Sequence, residues 1–100
     1  MTKLGDVIRE KRIAIGLSQK DLAGRIKKED GTSITPQFLN DIEFNRRTPS
    51  EFILKRIAAA LDLDADYLII LAGSLPSDIL ERGVTEKMAK EAVRLFRRKA

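Results

Sequence analysis

Three polar side chains with hydrogen-bonding chemistry lie close together near the middle of the chain. Gln37, Asn40 and Asp41 occupy positions i, i+3 and i+4, which share one face of an α-helix. A glutamine or asparagine amide can pair with adenine, and a carboxylate can accept a hydrogen bond from cytosine. We expect these side chains to read bases if their helix enters the major groove of DNA. The alternatives are a solvated face, or pairing of Asp41 with Arg46 or Lys20.

Helix signals flank these three residues. Thr35 is a suitable N-cap, and Pro36 suits the first helical position because its missing N–H would have had no partner there. Asn45 tolerates the left-handed conformation that ends many helices. We therefore expect a helix over about residues 36–44. Within it, Phe38 either closes the core or contacts a thymine methyl group.

A second capped helix precedes this one. Ser18 can cap it, and Leu22, Ala23 and Ile26 form its apolar stripe. Residues 27–33 contain no apolar side chain, so we expect a frayed helix end followed by a loop. Two short helices joined in this way form a helix-turn-helix, whose second helix can enter the DNA major groove. Double-stranded DNA is therefore the leading candidate partner.

Helical periodicity continues through the rest of the chain. After a first helix at the N-terminus, the segment Thr48-Pro49-Ser50-Glu51 begins a fourth helix, and Asp64 or its neighbour caps a fifth. The sequence predicts an all-α fold, with a five-helix DNA-binding domain over residues 1–73. Residues 74–100 are predicted to form a C-terminal helical extension.

The extension is predicted to contain a helical turn around residues 78–82 and a last helix from about Thr85. An apolar stripe on that helix needs a surface that buries it. It either folds back on the preceding helices or pairs with the same helix of a second chain, and we favour a homodimer. The stripe comprises Met88, Ala92, Leu95 and Phe96.

Composition argues against several kinds of chemistry. The 100-residue chain contains no cysteine and no histidine, so disulfides, thiolate zinc sites and imidazole bases are excluded. There is also no Gly-rich phosphate loop, so we expect no enzymatic activity and no cofactor. No apolar run approaches the roughly 18 residues of a membrane span. The first residues lack the apolar core of a signal peptide, so a cytoplasmic location without membrane contact is expected.

Charge is unevenly distributed along the chain. The net charge is +4, and residues 1–50 carry ten basic and seven acidic side chains. Residues 51–84 carry three basic and six acidic side chains, whereas residues 85–100 carry six and two. A polyanion would be attracted to the two basic ends rather than to the acidic middle.

The chain resembles the helix-turn-helix DNA-binding proteins of the phage repressor/Cro kind, the XRE family. The resemblance covers about residues 4–73 and implies five helices, with the third in the major groove. The link over residues 27–34 is longer than this motif usually has, and it either extends helix 2 or forms a loop beside the DNA. Phe44 and Asn45 stand where the family often has a polar or basic residue and a glycine. The matching residues are Leu17-Ser18-Gln19, Leu22-Ala23, Ile34-Thr35, Leu39, Ile42-Glu43, Arg46-Arg47, Pro49-Ser50, Ile57-Ala58 and Ala60-Leu61.

The resemblance also implies contacts with the DNA backbone. Gln19, near the start of helix 2, would donate to a phosphate and position that helix. Arg46 and Arg47 follow helix 3, where the family contacts the sugar-phosphate backbone. Glu43 is expected to form an internal ion pair with Arg12 or Arg56. The expected phosphate contacts are Gln19, Thr35, Arg46 and Arg47.

The sequence therefore predicts a sequence-specific transcriptional regulator, acting as a repressor or autoregulator. One alternative keeps the fold and changes the partner: an antitoxin or adaptor whose segment from Ser74 binds another protein, such as a toxin. The other alternative is a nucleoid-coating protein with little sequence preference.

Overall fold

The computed structural model describes residues 3–73, residue 81 and residues 86–99. Six helices occupy this part of the chain and confirm the all-α prediction. The predicted helical turn around residues 78–82 falls outside it, apart from residue 81. In chain order the helices are α1 (Leu4–Ile15), α2 (Gln19–Arg25), α3 (Pro36–Glu43), α4 (Glu51–Leu61), α5 (Ala65–Leu71) and α6 (Glu86–Lys99).

Short polar side chains begin four of these helices. Ser18, Thr35 and Ser50 each accept a hydrogen bond from the backbone N–H three residues later, at 3.0, 3.0 and 3.3 Å. Asp64 accepts from the two N–H groups of the first turn of α5. Each cap satisfies amide groups that have no partner within their own helix. The predicted caps Ser18 and Thr35 are thus confirmed, and the structure identifies Ser50 and Asp64 as the caps of α4 and α5.

Helices α1 and α2 both pack on α3, and α4 packs on α1 and α5. Their apolar faces meet in one cluster, so the stripe on each helix is buried against its neighbours. Burial of these side chains is the main stabilising contribution to the fold. The cluster comprises Leu4, Ile8, Leu22, Ala23, Ile26, Ile34, Leu39, Ile42, Ile53, Leu54, Ile57, Ala58, Leu61, Leu68 and Ile69.

The link between α2 and α3 is a loop that folds as a short hairpin, so the predicted loop is confirmed, whereas the predicted frayed helix end over its first residues is wrong. Helix α2 ends at Arg25, and the Ile34 N–H donates to the Ile26 carbonyl at 2.9 Å. Lys27 and Ser33 then form an antiparallel bridge. Ile26 and Ile34 are both buried in the core. Because these two isoleucines lie just outside the polar stretch 27–33, that stretch alone gave no sign of an anchored hairpin.

The tip of this hairpin is held by local hydrogen bonds. The Asp30 carboxylate accepts from the Thr32 backbone N–H at 2.9 Å and from its hydroxyl at 2.7 Å. These bonds, the side-chain one above all, hold the pKa of Asp30 below its ordinary value because they favour the ionised form. Gly31 takes the left-handed conformation, with φ of 88°, that completes the turn. The extra residues of the link therefore have a defined structure.

The start of α1 lies directly against the end of α3. A side chain at Gly5 would overlap the carbonyl oxygens of Ile42 and Glu43, so only glycine permits this approach. Asn45 has φ of 60°, and its Oδ1 accepts from the Gly5 N–H at 2.9 Å. Lys3, the N-cap of α1, makes no side-chain cap bond. Asn45 therefore ends α3, as predicted, and also caps α1, which the sequence did not indicate.

Helix α6 begins within one residue of the predicted start. Ala92 is exposed, and the Leu95 side chain is 53% exposed. The side chains of Met88 and Phe96 lie outside the described part of the structure.

Among the described residues, no helix is long and apolar enough to cross a membrane.

Candidate nucleic-acid interface

Two of the predicted base-reading residues join a predicted phosphate contact on the exposed face of α3. The Gln37 amide donates to Asp41 Oδ1 at 3.1 Å, and Arg46 Nε donates to the same oxygen at 3.3 Å. Arg46 Nη2 also lies 3.3 Å from it. Of the two partners considered for Asp41, the structure selects Arg46 and not Lys20. We call Gln37, Asp41 and Arg46 the exposed triad.

The third predicted base-reading residue lies beside α2. The Gln19 amide nitrogen donates to Asn40 Oδ1 at 3.1 Å and to Glu43 Oε1 at 3.2 Å. Both side-chain N–H groups of Gln19 therefore have protein acceptors. Contact with a phosphate would require the amide to exchange one of these bonds. The Asn40 amide nitrogen stays available as a donor because only its oxygen takes part in this contact.

A buried ion pair fixes the end of α3. Arg12 Nε donates to Glu43 Oε2 at 2.7 Å, and Arg12 Nη2 donates to Oε1 at 2.9 Å. The Glu43 side chain is fully buried and that of Arg12 is 11% exposed. Arg12 Nη1 also donates to the Leu17 carbonyl at 2.8 Å, which ties the α1–α2 turn to this pair. Of the two partners predicted for Glu43, Arg12 is the one found.

Glu43 and the hydrogen-bonded side chains around it form a polar cluster that connects three helices. Its members are Arg12 on α1, Gln19 on α2, and Asn40 and Glu43 on α3, and we call them the Glu43 network. Among the described residues, no buried side-chain nitrogen or oxygen lacks a hydrogen-bond partner. Because each hydrogen bond restricts the relative placement of two helices, the network orients α3 against α1 and α2.

Guanidinium groups lie over the rings of Phe38 in the first turn of α3, Phe44 at its end and Phe52 in the first turn of α4. Arg47 is 5.0 Å from the centroid of Phe38, which is half-buried against the core. Arg9 and Arg46 are each 5.4 Å from the centroid of Phe44, which is 52% exposed. Sequence reasoning had not selected Arg9. Its contacts with the end of α3, the Glu43 carbonyl and the Phe44 ring, join residues more than 30 positions apart, so no local signal marks them.

Thr35 is exposed at the start of α3, and its oxygen accepts from the Phe38 N–H. Its hydroxyl hydrogen is therefore left to donate to another acceptor. Thr35, the exposed triad and Asn40 together present hydroxyl, amide, carboxylate and guanidinium groups along α3 and the turn that follows it. The predicted stripe residues Ala92 and Leu95 lie on α6, apart from this set. Among the described residues, no group of three or more acidic, histidine or cysteine side chains is arranged to bind a metal ion.

The helical fold described above agrees with two comparisons. The family model described as Helix-turn-helix matches residues 8–68. Among solved structures, a chain of a SinR protein/SinI protein complex is similar, with 26% sequence identity and a TM-score of 0.56. The similarity covers 97% of this chain and 99% of that chain. No curated protein gives a match.

The matched family segment spans α2, the hairpin, α3 and the arginines that follow it. It contains every residue that the sequence predicted to contact DNA. The family model and the arrangement of α2 and α3 thus confirm the resemblance inferred from the motifs. The chain belongs to the helix-turn-helix family and is a DNA-binding regulator of the XRE type.

Proposed function

We propose that this regulator is a sequence-specific transcriptional repressor or autoregulator that inserts α3 into the DNA major groove. The observation that carries the proposal is the exposed triad. It places an amide and a carboxylate on the solvent-facing side of a short, capped helix, beside a guanidinium from the turn that follows it. Those three groups include hydrogen-bond donors and acceptors that match base edges and phosphates.

Gln37, Asp41 and Asn40 are the proposed base-reading residues. The Gln37 nitrogen donates to Asp41, so its amide oxygen can accept from an adenine or cytosine amino group. Asp41 uses Oδ1 for both of its partners, which leaves Oδ2 to accept from cytosine. Asn40 can donate to a purine through its amide nitrogen. This pattern favours a site that presents amino groups to the middle of α3.

Gln19, Thr35, Arg46 and Arg47 are the proposed phosphate contacts. The side chain of Arg46 is 57% exposed, so most of its guanidinium can meet a phosphate while it remains beside Asp41. The Phe38 ring supports Arg47, and the Thr35 hydroxyl can donate from the start of α3. Gln19 would exchange its bond to Asn40 for a phosphate oxygen. Such contacts position the protein without specifying a sequence.

We further propose that residues 1–73 form the DNA-binding domain and that residues 74–100 supply a homodimer contact. Ala92 and Leu95 are exposed on α6, in line with a face that a second chain would cover. Met88 and Phe96 complete the proposed stripe. Two-fold pairing would place two α3 helices on half-sites about one DNA turn apart. No cofactor takes part in this scheme.

A second candidate partner for the extension is another protein. The supporting observation is the similarity to a chain of the SinR protein/SinI protein complex, which covers nearly the full length of both chains. On this alternative, α6 binds a different protein, such as a toxin, while α3 retains its role on DNA. Co-purification of a small partner from the native host, lost on Leu95→Asp substitution, would favour it. A homodimer by analytical ultracentrifugation, made monomeric by the same substitution, would favour self-association.

Fluorescence-anisotropy titration tests the proposed function. Labelled duplex from upstream of the protein's own reading frame is titrated against scrambled competitor at two salt concentrations. We expect a preference of about 10³-fold or more for the upstream duplex. Equal, strongly salt-dependent affinity for both duplexes would contradict sequence specificity and indicate a nucleoid-coating role. No binding at either salt concentration would contradict the DNA-reading role of α3 outright.

A further inference from the structure

Phe44 is an exposed aromatic residue held between two arginines at the end of α3. Phe44 is 52% exposed, although its neighbour Glu43 is fully buried. The guanidinium groups of Arg9 and Arg46 each lie 5.4 Å from the centre of its ring. A guanidinium at this distance from an aromatic face is attracted by the ring quadrupole. Phe44 therefore restrains two cations that belong to different parts of the chain.

Arg9 is restrained at two further points. Its Nη1 donates to the Glu43 carbonyl at 3.2 Å, and its Nη2 donates to Asp6 Oδ1 at 3.3 Å. Asp6 is shared, because the Asn45 side-chain amide also donates to that oxygen at 3.5 Å. The Arg9 side chain is nevertheless 31% exposed. A guanidinium has five N–H donors, so these contacts fix its orientation and leave donors for another acceptor.

Arg46 connects the same ring to the base-reading face. It is paired with Asp41, which also accepts from Gln37 on the exposed side of α3. Phe44 therefore contacts one guanidinium from the exposed triad, that of Arg46, and one from α1, that of Arg9. The two arginines are separated by 37 positions in the chain, and their contact with a single ring brings both to the end of α3.

We propose that Arg9 is part of the DNA-binding site and that Phe44 holds Arg9 and Arg46 as a pair of phosphate contacts. The inference rests on the proposed insertion of α3 into the major groove. Phosphodiester oxygens are the fitting ligand because guanidinium groups form short, charge-assisted hydrogen bonds with them. The flat ring restrains both side chains before DNA arrives, so less conformational entropy is lost on binding. On the alternative that these contacts only join α1 to α3, neither arginine would contact DNA.

The slope of log affinity against log salt concentration separates these two roles. It reports the number of phosphates neutralised, at about 0.9 per contact. Arg9→Gln and Arg46→Gln are compared with Lys11→Gln, which removes the same charge from the opposite side of α1. Affinity is measured for the upstream duplex and for a random duplex. We expect both arginine variants to lower the slope by about 1 on both duplexes and to weaken binding about tenfold. Lys11→Gln is expected to change neither quantity by a comparable amount.

The ring is tested by Phe44→Leu and Phe44→Trp. Leucine retains apolar bulk but lacks the aromatic face, so binding is expected to weaken about two- to fivefold. Tryptophan keeps the face and is expected to bind as the natural protein does. Arg9→Lys retains the charge and should restore the salt slope. Thermal unfolding of each variant gives its folded fraction at the assay temperature, and only folded protein enters the comparison.

An Arg9→Gln slope equal to that of Lys11→Gln, with a lowered slope for Arg46→Gln, would overturn the role of Arg9 and leave the proposed function standing. If Phe44→Trp binds DNA as weakly as Phe44→Leu, the proposal that the aromatic ring holds the two arginines is overturned. If the unsubstituted protein shows no salt-dependent binding to either duplex, both the proposed function and this inference fail.

Discussion

On α3 the carboxylates of Asp41 and Glu43 are two residues apart, and each pairs with an arginine. The side chains of Asp41 and its partner Arg46 are 26% and 57% exposed. Those of Glu43 and its partner Arg12 are 0% and 11% exposed. Two residues on a helix correspond to a rotation of about 200°, which carries one carboxylate toward solvent and the other into the core. The same two residue types therefore form pairs with different physical consequences.

The two ion pairs suit different roles, one in positioning α3 and the other in the recognition of DNA. A buried ion pair makes little net contribution, but loss of one partner leaves an uncompensated charge in the interior. The Glu43–Arg12 pair is thus suited to fixing α3 against α1. An exposed pair contributes roughly 0–1 kcal/mol, so its members can exchange partners at small cost. The Asp41–Arg46 pair is thus suited to meeting DNA.

The largest expected effect is from breaking the buried pair. Glu43→Ala leaves Arg12 without its carboxylate and Gln19 without one acceptor, so the free energy of unfolding should fall by about 3–5 kcal/mol. Urea denaturation followed by circular dichroism measures it. The double variant Arg12→Met/Glu43→Leu, which buries no charge, is the control and should recover much of the loss. A fall below about 1 kcal/mol for Glu43→Ala would contradict the role of the pair.

Gly5→Ala tests the close approach of α1 to the same end of α3. The added methyl group would overlap two backbone carbonyl oxygens, which cannot rotate away. We expect a loss of about 1–3 kcal/mol in unfolding free energy because the helices must separate. Gly24→Ala is the matched control, since no atom lies near its added methyl group and alanine favours helix. Equal effects of the two substitutions would show that α1 is not tightly packed here.

Gln37→Ala tests recognition on the exposed side. The substitution should cost about 1–3 kcal/mol of discrimination at one base pair, because the amide no longer reads it. The unfolding free energy should stay within about 0.5 kcal/mol of the natural value, since the side chain is exposed. Competition titrations with duplexes that vary one base pair at a time measure the first quantity. An unchanged base preference would remove Gln37 from the reading residues.

The smallest expected effect on stability is that of Asp41→Asn. The exposed pair with Arg46 is lost, and the unfolding free energy should change by less than about 1 kcal/mol. Base preference should change instead, because an amide presents a donor where the carboxylate only accepts. The same competition titrations apply. A stability loss comparable to that of Glu43→Ala would remove the distinction between the two carboxylates.

Much of the fold was predictable from local sequence. Helix caps and apolar periodicity depend only on nearby residues, so the sequence predicts where the helices begin. The caps found are Ser18, Thr35, Ser50 and Asp64. The hairpin after α2 was missed because Ile26 and Ile34 reveal its anchoring only when both enter the core. The second role of Asn45 was missed for a similar reason, since the N–H it caps lies 40 residues earlier in the chain.

In the candidate site too, local features were predictable from sequence and long-range contacts were not. Spacing placed Gln37, Asn40 and Asp41 on one helix, but it left the partners of Asp41 and Glu43 open between two basic residues each. Packing of α1 on α3 brings Arg12 to Glu43, whereas the turn after α3 brings Arg46 to Asp41. Arg9 entered the site without any sequence signal, through its contacts with Phe44 and the Glu43 carbonyl.

The order of residues thus determined the helix class, the caps, the motif and the chemical groups presented by α3, because each depends on interactions within a few positions. The burial of Glu43, the contact between Gln19 and Asn40, and the gathering of two arginines on Phe44 depended on packing between helices. The contacts of Gln19 with Asn40, Arg12 with Glu43 and Arg9 with Phe44 join residues 21, 31 and 35 positions apart, and their geometry exists only once the apolar faces of α1, α2 and α3 have met. That packing separates the carboxylate that orients α3 from the carboxylate that faces its proposed DNA partner.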